Sequence, residues 1–273
     1  MKRLSILLAG TGLALMAGAA QADQLAEIRD AGVLVCGVPS NYVPFSYLES
    51  DNDRTPVGFD VEVCNAIADH LGVTPELRYV TGASRIPDLT AGRIDIATAA
   101  LTITPERAQQ VDFSIPYFRT GVRVSVPNDS DITEMDQLNG HRIAVPESGM
   151  ASMIVEERFP DSAAVGFPTP ANTFLALQRG MVQAMAGDET TLLGQMSGAP
   201  GEYHLLDGFL TDDWLGVGVR KGETALLEAV NEALLGMEAD GSALASFNRY
   251  FGAETPMGME RNFTINTDNL PAE

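Results

Sequence analysis

Apolar positions along this chain follow two alternating rhythms. Short, nearly continuous apolar runs read as strands buried on both faces: Val33 to Val38, Leu77 to Val80, Ile94 to Thr98, Val122 to Val126, Arg142 to Val145, a short run near Val165, Val182 to Ala186 and Trp214 to Val219. Between them apolar residues recur at helical spacing. Phe59, Val63, Ile67 and Leu71 make one stripe, which Gly72 ends. Further helices are predicted over 86–92, from Thr104, over 149–159, over 173–179, from Glu189, over 223–239 and over 242–251. Thr104 is a helix cap, Pro105 suits the first helical position, and Glu106 complements the dipole.

Strand and helix alternate, so the fold class is α/β with mostly parallel sheets. The alternation runs twice with similar content, which predicts two lobes of related topology. Ligands of open α/β sheets bind beyond the carboxyl ends of the strands. The cleft between two such lobes is therefore the expected site.

The N-terminus sets the compartment. Lys2 and Arg3 precede an uncharged run from Leu4 to Ala20, and Ala20-Gln21-Ala22 fits a small-x-small cleavage rule. Residues 1–22 read as a secretory signal peptide. The apolar part is too short for a membrane span, and no Cys follows the cleavage point to carry a lipid. A periplasmic protein without a membrane anchor is expected. The formal charge of −20 argues against nucleic acid as a partner. Cys36 falls in a predicted strand and Cys64 on the helix that should pack on it. In an oxidising compartment they can pair as a disulfide; two buried thiols are the alternative. No metal motif, phosphate loop, dinucleotide fingerprint or Ser/His/Asp set is visible, so no cofactor or metal is expected. His70, His141 and His204 are scattered.

Arg107 stands out on physical grounds. It lies in the first turn of a capped helix, where the dipole disfavours a cation unless an anion is near. A guanidinium grips a carboxylate through two parallel hydrogen bonds. It closes the segment Leu101-Thr-Ile-Thr-Pro-Glu-Arg107. That segment follows Tyr42-Val-Pro-Phe45, Val57-Gly-Phe-Asp60, Arg85-Ile-Pro-Asp-Leu89 and Gly92-Arg-Ile-Asp95, and precedes Val111-Asp-Phe-Ser114, Pro116-Tyr117, Leu138-Asn-Gly140, Gly187-Asp188 and Asn248 to Gly252. In this order the motifs resemble the family-3 extracellular solute-binding proteins, the amino-acid receptors of ABC importers.

The resemblance implies a two-lobed Venus-flytrap fold with hinge crossovers near Gly121 and near Trp214–Val219. Lobe 1 would take residues 23–121, lobe 2 residues 122–217, and residues 218–273 would return to lobe 1. It implies a monomer that binds without chemistry and hands an amino acid or close analogue to a membrane permease. Arg107 matches the residue for the ligand α-carboxylate, and Asp188 the residue for its α-ammonium. Thr102 contributes an N–H and a hydroxyl, and Ala100 a carbonyl. Tyr42 is expected in the cleft and Phe45 in the core.

The side-chain pocket departs from the family pattern. Pro39 stands where a selective charge is common, Gly82 replaces a stacking aromatic, and Met150 and Ala151 replace hydroxyl residues. Arg85 and Glu147 are the remaining charges there. Arg85 alone would favour an acidic or amide side chain; Arg85 neutralised by Glu147 would leave a polar, uncharged pocket. Two other functions remain open. One is an exported enzyme similar to cyclohexadienyl dehydratase, with Glu147 or Asp188 as general acid. The other is a binding protein that presents its closed form to a sensor.

Overall fold

The computed structural model describes residues 23–50, 52–147 and 149–269; the expected leader, residues 1–22, and Ser148 lie outside them. The chain enters through α1 (Gln24–Ala31), whose first turn Asp23 caps by accepting from the Leu25 N–H. There follow β1 (Val33–Val38), the two-residue strands β2 (Asn41–Tyr42) and β3 (Ser46–Tyr47), α2 (Phe59–Leu71), β4 (Thr74–Tyr79), α3 (Arg85–Thr90), β5 (Ile96–Ala97), α4 (Pro105–Ala108) and β6 (Val111–Phe113). After β7 (Phe118–Thr120) the second series begins with β8 (Val122–Pro127). It continues through β9 (Arg142–Pro146), α5 (Met150–Arg158), β10 (Ala163–Phe167), α6 (Pro170–Gln178), β11 (Ala184–Asp188), α7 (Glu189–Met196) and β12 (Tyr203–Leu205). The last elements are β13 (Asp213–Leu215), β14 (Gly218–Arg220), α8 (Thr224–Ala239) and α9 (Ser242–Tyr250). No described helix is long and apolar enough to cross a membrane.

Two five-stranded sheets result, in the orders β4-β1-β5-β14-β6 and β10-β9-β11-β8-β12. In the first, β1 runs parallel to β4 and β5, and β14 runs antiparallel to β5 and β6. In the second, β9 runs parallel to β10 and β11, and β8 runs antiparallel to β11 and β12. One strand therefore opposes the other four in each sheet. That strand is the one arriving from the opposite sheet: β8 after the first crossing, β14 after the second. A strand that starts at the carboxyl-end side must run away from it, so its reversal follows from the connection.

The crossings lie side by side as an antiparallel ribbon, β7 with β13, pairing Phe118 with Leu215 and Thr120 with Asp213. The sequence predicts one strand from Trp214 to Val219. The structure divides it at Gly216 and Val217, because its first half pairs in the ribbon and its second half in the first sheet. The predicted third strand, Ile94 to Thr98, shortens to Ile96–Ala97.

Punctuation by glycine explains α2. Gly58 has φ 139°, and a Cβ there would sit 2.2 Å from the Phe45 carbonyl oxygen, so no other residue fits without movement. Gly72 ends the helix in the left-handed conformation, as its position predicts. The buried face of α2 meets an aromatic cluster in which Phe118 lies 4.7 Å from Phe251 and 5.1 Å from Phe45, ring centre to ring centre. Phe45 is thus core, at 1% exposure.

Cys36 of β1 and Cys64 of α2 form a disulfide across 6.2 Å between Cα atoms, closing a loop of sequence separation 28. It ties the helix to the central sheet, which resolves the alternative of free thiols. Cross-linking a loop of this size stabilises by about 3.5 kcal/mol, mainly by restricting the unfolded chain. A Cys36→Ser/Cys64→Ser variant should lose about that much in urea unfolding. An unchanged midpoint would show that the bridge adds nothing to stability.

Candidate functional site

The carboxyl ends of the strands converge on one cavity of about 200 Å³. From the first sheet come Pro39 to Tyr42 after β1, Val80 to Gly82 after β4, and Ala100 and Thr102 after β5. From the second come Pro146 at the end of β9, Pro168 to Pro170 after β10, and Asp188 at the end of β11. The volume falls below the ~300 Å³ typical of sites for drug-sized molecules, so the occupant is a small solute.

The first-sheet wall is built around α4. The Thr104 hydroxyl accepts from the Arg107 N–H at 3.2 Å, which is the predicted cap, and Pro105 follows it. That turn places the Arg107 side chain against the cavity, where its Nη1 donates to the Thr102 carbonyl at 2.9 Å. Burial, and then repulsion from Arg85, pull the Arg107 guanidinium down to about 10. It still carries its charge at neutral pH. Two guanidiniums repelling beside one cavity favour an anion between them.

Arg85 opens α3 and is 9% exposed. Its Nη1 donates to the carbonyls of Ala99 at 2.6 Å and Ala100 at 3.1 Å. Its Nε is buried without a hydrogen-bond partner among the described residues. Burial pulls its guanidinium down from the usual value, and the negative groups around it oppose that shift. Ala100 has φ 44°, a left-handed conformation that costs a non-glycine residue about 1 kcal/mol or more. Its N–H donates to Asp60 at 2.7 Å, while its carbonyl accepts from Arg85. Ala100 is thereby held at both its N–H and its carbonyl. That carbonyl is the one expected to face an ammonium, and in the structure a guanidinium already occupies part of its accepting capacity.

The opposite wall carries Asp188. It precedes α7 at the cap position, yet its side chain makes no cap bond. Its Oδ2 instead accepts from the Tyr42 hydroxyl at 3.0 Å, a bond that spans the cleft. Burial, followed by the charge of Asp213, holds the Asp188 carboxyl up to about 6 against the pull of Tyr42, Arg85 and Arg107. Burial and Asp188 together push the Tyr42 phenol far above its ordinary range, so Tyr42 remains a donor.

Of the residues singled out in the sequence, Arg107, Asp188, Thr102, Ala100, Tyr42, Arg85 and Met150 border this one cavity, with Pro39 and Gly82. Ala151 and Glu147 do not. Ala151 is 2% exposed and packs in the core of the second sheet. Met150, the first residue of α5, faces the cleft, and the ~100° turn per residue swings Ala151 inward. Glu147 is exposed; its N–H donates to the Phe167 carbonyl at 3.0 Å, and its side chain lies over Gly166. Pro146 ends β9 at the cavity, and Glu147 lies in the turn that follows, outside it. Glu147 is not among the groups that act on Arg85.

Sequence reasoning missed Thr169 and Pro170 as lining residues, although the signal was present. Thr169 caps α6 by accepting from the Asn172 N–H, and Pro170 follows, repeating the Thr104-Pro105 pattern on the other wall. It also missed Asp60, which is fully buried and accepts from the Tyr117 hydroxyl at 2.7 Å.

A larger cavity of about 500 Å³ lies beside the hinge ribbon. Its arginines are neutralised in place, Arg119 by Asp212 and Arg123 by Glu189. Arg85, by contrast, has no carboxylate in hydrogen-bond contact among the described residues. The charge arrangement that invites a ligand is in the cleft.

Comparison with known proteins agrees with this architecture. Residues 34–253 match the model for bacterial extracellular solute-binding proteins, family 3. A glutamine-binding protein of an ABC transporter from Bacillus subtilis is 33% identical over 223 residues, 80% of this chain and 81% of that protein. The solved cysteine-binding protein from Campylobacter jejuni superposes with a TM-score of 0.79 at 26% identity, covering 85% of this chain and 94% of that one. An ancestral amino acid-binding protein described as a precursor of cyclohexadienyl dehydratase superposes with a TM-score of 0.78 at 31% identity, covering 84% of this chain and all of the other. With a family model spanning most of its length and a relative at this level of identity, the chain belongs to family 3 of the bacterial extracellular solute-binding proteins.

Proposed function

We propose that this protein captures a free α-amino acid in the cleft and delivers it to the membrane subunits of an ABC importer. The observation that carries the reading is that Arg107 and Asp188 reach one small cavity from opposite sheets. A zwitterion satisfies both. Its carboxylate meets Arg107 and its ammonium meets Asp188, so each end of the ligand faces a group of opposite charge. Because the two residues sit on opposite sides of the hinge ribbon, the ligand favours the closed arrangement only when both ends engage.

Charge balance extends the reading to the side chain. The cavity wall holds two cations, Arg85 and Arg107, against one carboxylate, Asp188. A ligand with two carboxylates and one ammonium complements that set, so an acidic amino acid is favoured, with its amide analogue next. Titration calorimetry against a panel of amino acids should show binding of L-glutamate, L-aspartate or L-glutamine. A panel in which no amino acid binds would overturn the proposal.

One observation favours a catalytic second reading: a cavity carboxyl held near 6 is suited to proton transfer close to neutrality. Incubation with arogenate or prephenate distinguishes the two. Formation of phenylalanine or phenylpyruvate supports catalysis, and absence of turnover removes it.

A further inference from the structure

Asp60 lies one layer behind the cavity and takes no part in the binding scheme above. It sits in the first turn of α2, fully buried, where the helix dipole favours a negative charge. Its two oxygens are committed: Oδ1 accepts from Tyr117 and Oδ2 from the Ala100 N–H, each at 2.7 Å. The Ala100 carbonyl in turn accepts from Arg85. One strained residue, Ala100, therefore separates a buried carboxylate from a buried guanidinium.

We infer that Asp60 is a positioning and selectivity residue, the standing counter-charge that sets how strongly Arg85 attracts an anionic ligand side chain. The inference rests on the amino-acid reading of the cleft. Asp188 also acts on Arg85 when the cavity is empty. A bound ammonium takes up the charge of Asp188, and Asp60 then remains as the carboxylate opposing Arg85. Tyr117, the Ala100 N–H and Arg85 act on Asp60; Tyr42, Asp188, Tyr117 and Asp60 attract Arg85, and Arg107 repels it. Burial holds the Asp60 carboxyl up to about 6, while Tyr117, the Ala100 N–H and Arg85 pull it down. Selectivity for an acidic over an amide side chain is therefore lowest when Asp60 is ionised, and it rises as Asp60 takes up a proton.

The test compares L-glutamate with L-glutamine, which share a headgroup and differ by one charge. Asp60→Asn keeps an oxygen acceptor for the Ala100 N–H and removes the charge. At neutral pH it should raise the glutamate-to-glutamine affinity ratio about tenfold, the equivalent of one pKa unit of coupling. In the unsubstituted protein the ratio should rise as pH falls from about 7 to about 5, where free glutamate keeps its side-chain charge. In the variant it should stay flat. Effects of Asp188 on the shared headgroup cancel in the ratio. Tyr117→Phe removes a hydrogen bond from ionised Asp60 and should move the midpoint of the rise to higher pH. If Asp60→Asn does not fold, the unsubstituted profile and Tyr117→Phe decide the matter. A flat profile in the unsubstituted protein, or a variant ratio within about twofold of the original, overturns the role of Asp60 while leaving amino-acid capture standing. Binding of neither amino acid overturns both.

Discussion

Arg107→Ala should weaken binding of L-glutamate and L-glutamine by roughly three orders of magnitude at neutral pH, with the fold intact. Removing one partner of a desolvated, hydrogen-bonded charge pair costs about 4 kcal/mol, because the surviving charge is left without compensation. Each 1.4 kcal/mol is about tenfold in affinity. The loss should be common to every amino acid, since the carboxylate is shared. Arg107 also holds the Thr102 carbonyl, so the loop it closes should loosen as well. Calorimetry measures the loss, and a melting curve confirms folding. Affinity within tenfold of the original would show that Arg107 is not the carboxylate clamp.

Asp188→Asn should weaken L-glutamine binding by about two orders of magnitude at neutral pH and should remove most of its pH dependence. Asparagine keeps an oxygen for Tyr42 but loses the charge that meets the ammonium. The sign follows from proton binding. The Asp188 carboxyl is held up to about 6, mainly by burial, above its ordinary value of 3.8. In the empty protein it therefore binds a proton more tightly than in the unfolded chain. Its ionisation disfavours the fold above about 6, and that penalty disappears as pH falls below 3.8. A ligand ammonium favours the ionised form, so binding near pH 6 releases a proton. Affinity should be greatest above about pH 6 and should fall up to about tenfold per pH unit below it. Calorimetry in buffers of different ionisation enthalpy reads the released proton directly. No proton release and a flat profile in the unsubstituted protein would exclude Asp188 as the ammonium partner.

The parts of the molecule legible in the sequence are those whose causes are local. The helix Phe59–Leu71 has the predicted bounds because its stripe is regular and glycines punctuate both ends. Thr104-Pro105 was readable because a cap is a hydrogen bond three residues long. The same signal stands at Thr169-Pro170 but was passed over, and the helix expected from 173 begins at Pro170. Arg107 was found because a cation in that turn needs an anion. Strand, helix and compartment made a Cys36–Cys64 bridge possible, and the structure decided it over two free thiols.

Causes that act through space needed the tertiary structure. Trp214 to Val219 is one apolar run in sequence but serves a ribbon and a sheet, since the strands that pair with its two halves come from different parts of the chain. Glu147 resembled a pocket residue by position, and the turn after β9 leaves it exposed to solvent. The setting of Arg85 was beyond reach. Asp60, Ala100 and Tyr117 come from separate segments, and only folding brings their charges and dipoles into one low-dielectric region. Taken alone, the sequence determined the alternating architecture and singled out Arg107 and the two cysteines as candidates, because periodicity, capping and charge placement are written residue by residue. Tertiary structure decided which charges share the cavity and which are answered elsewhere, because electrostatic balance depends on distance and burial, neither of which is a property of chain order.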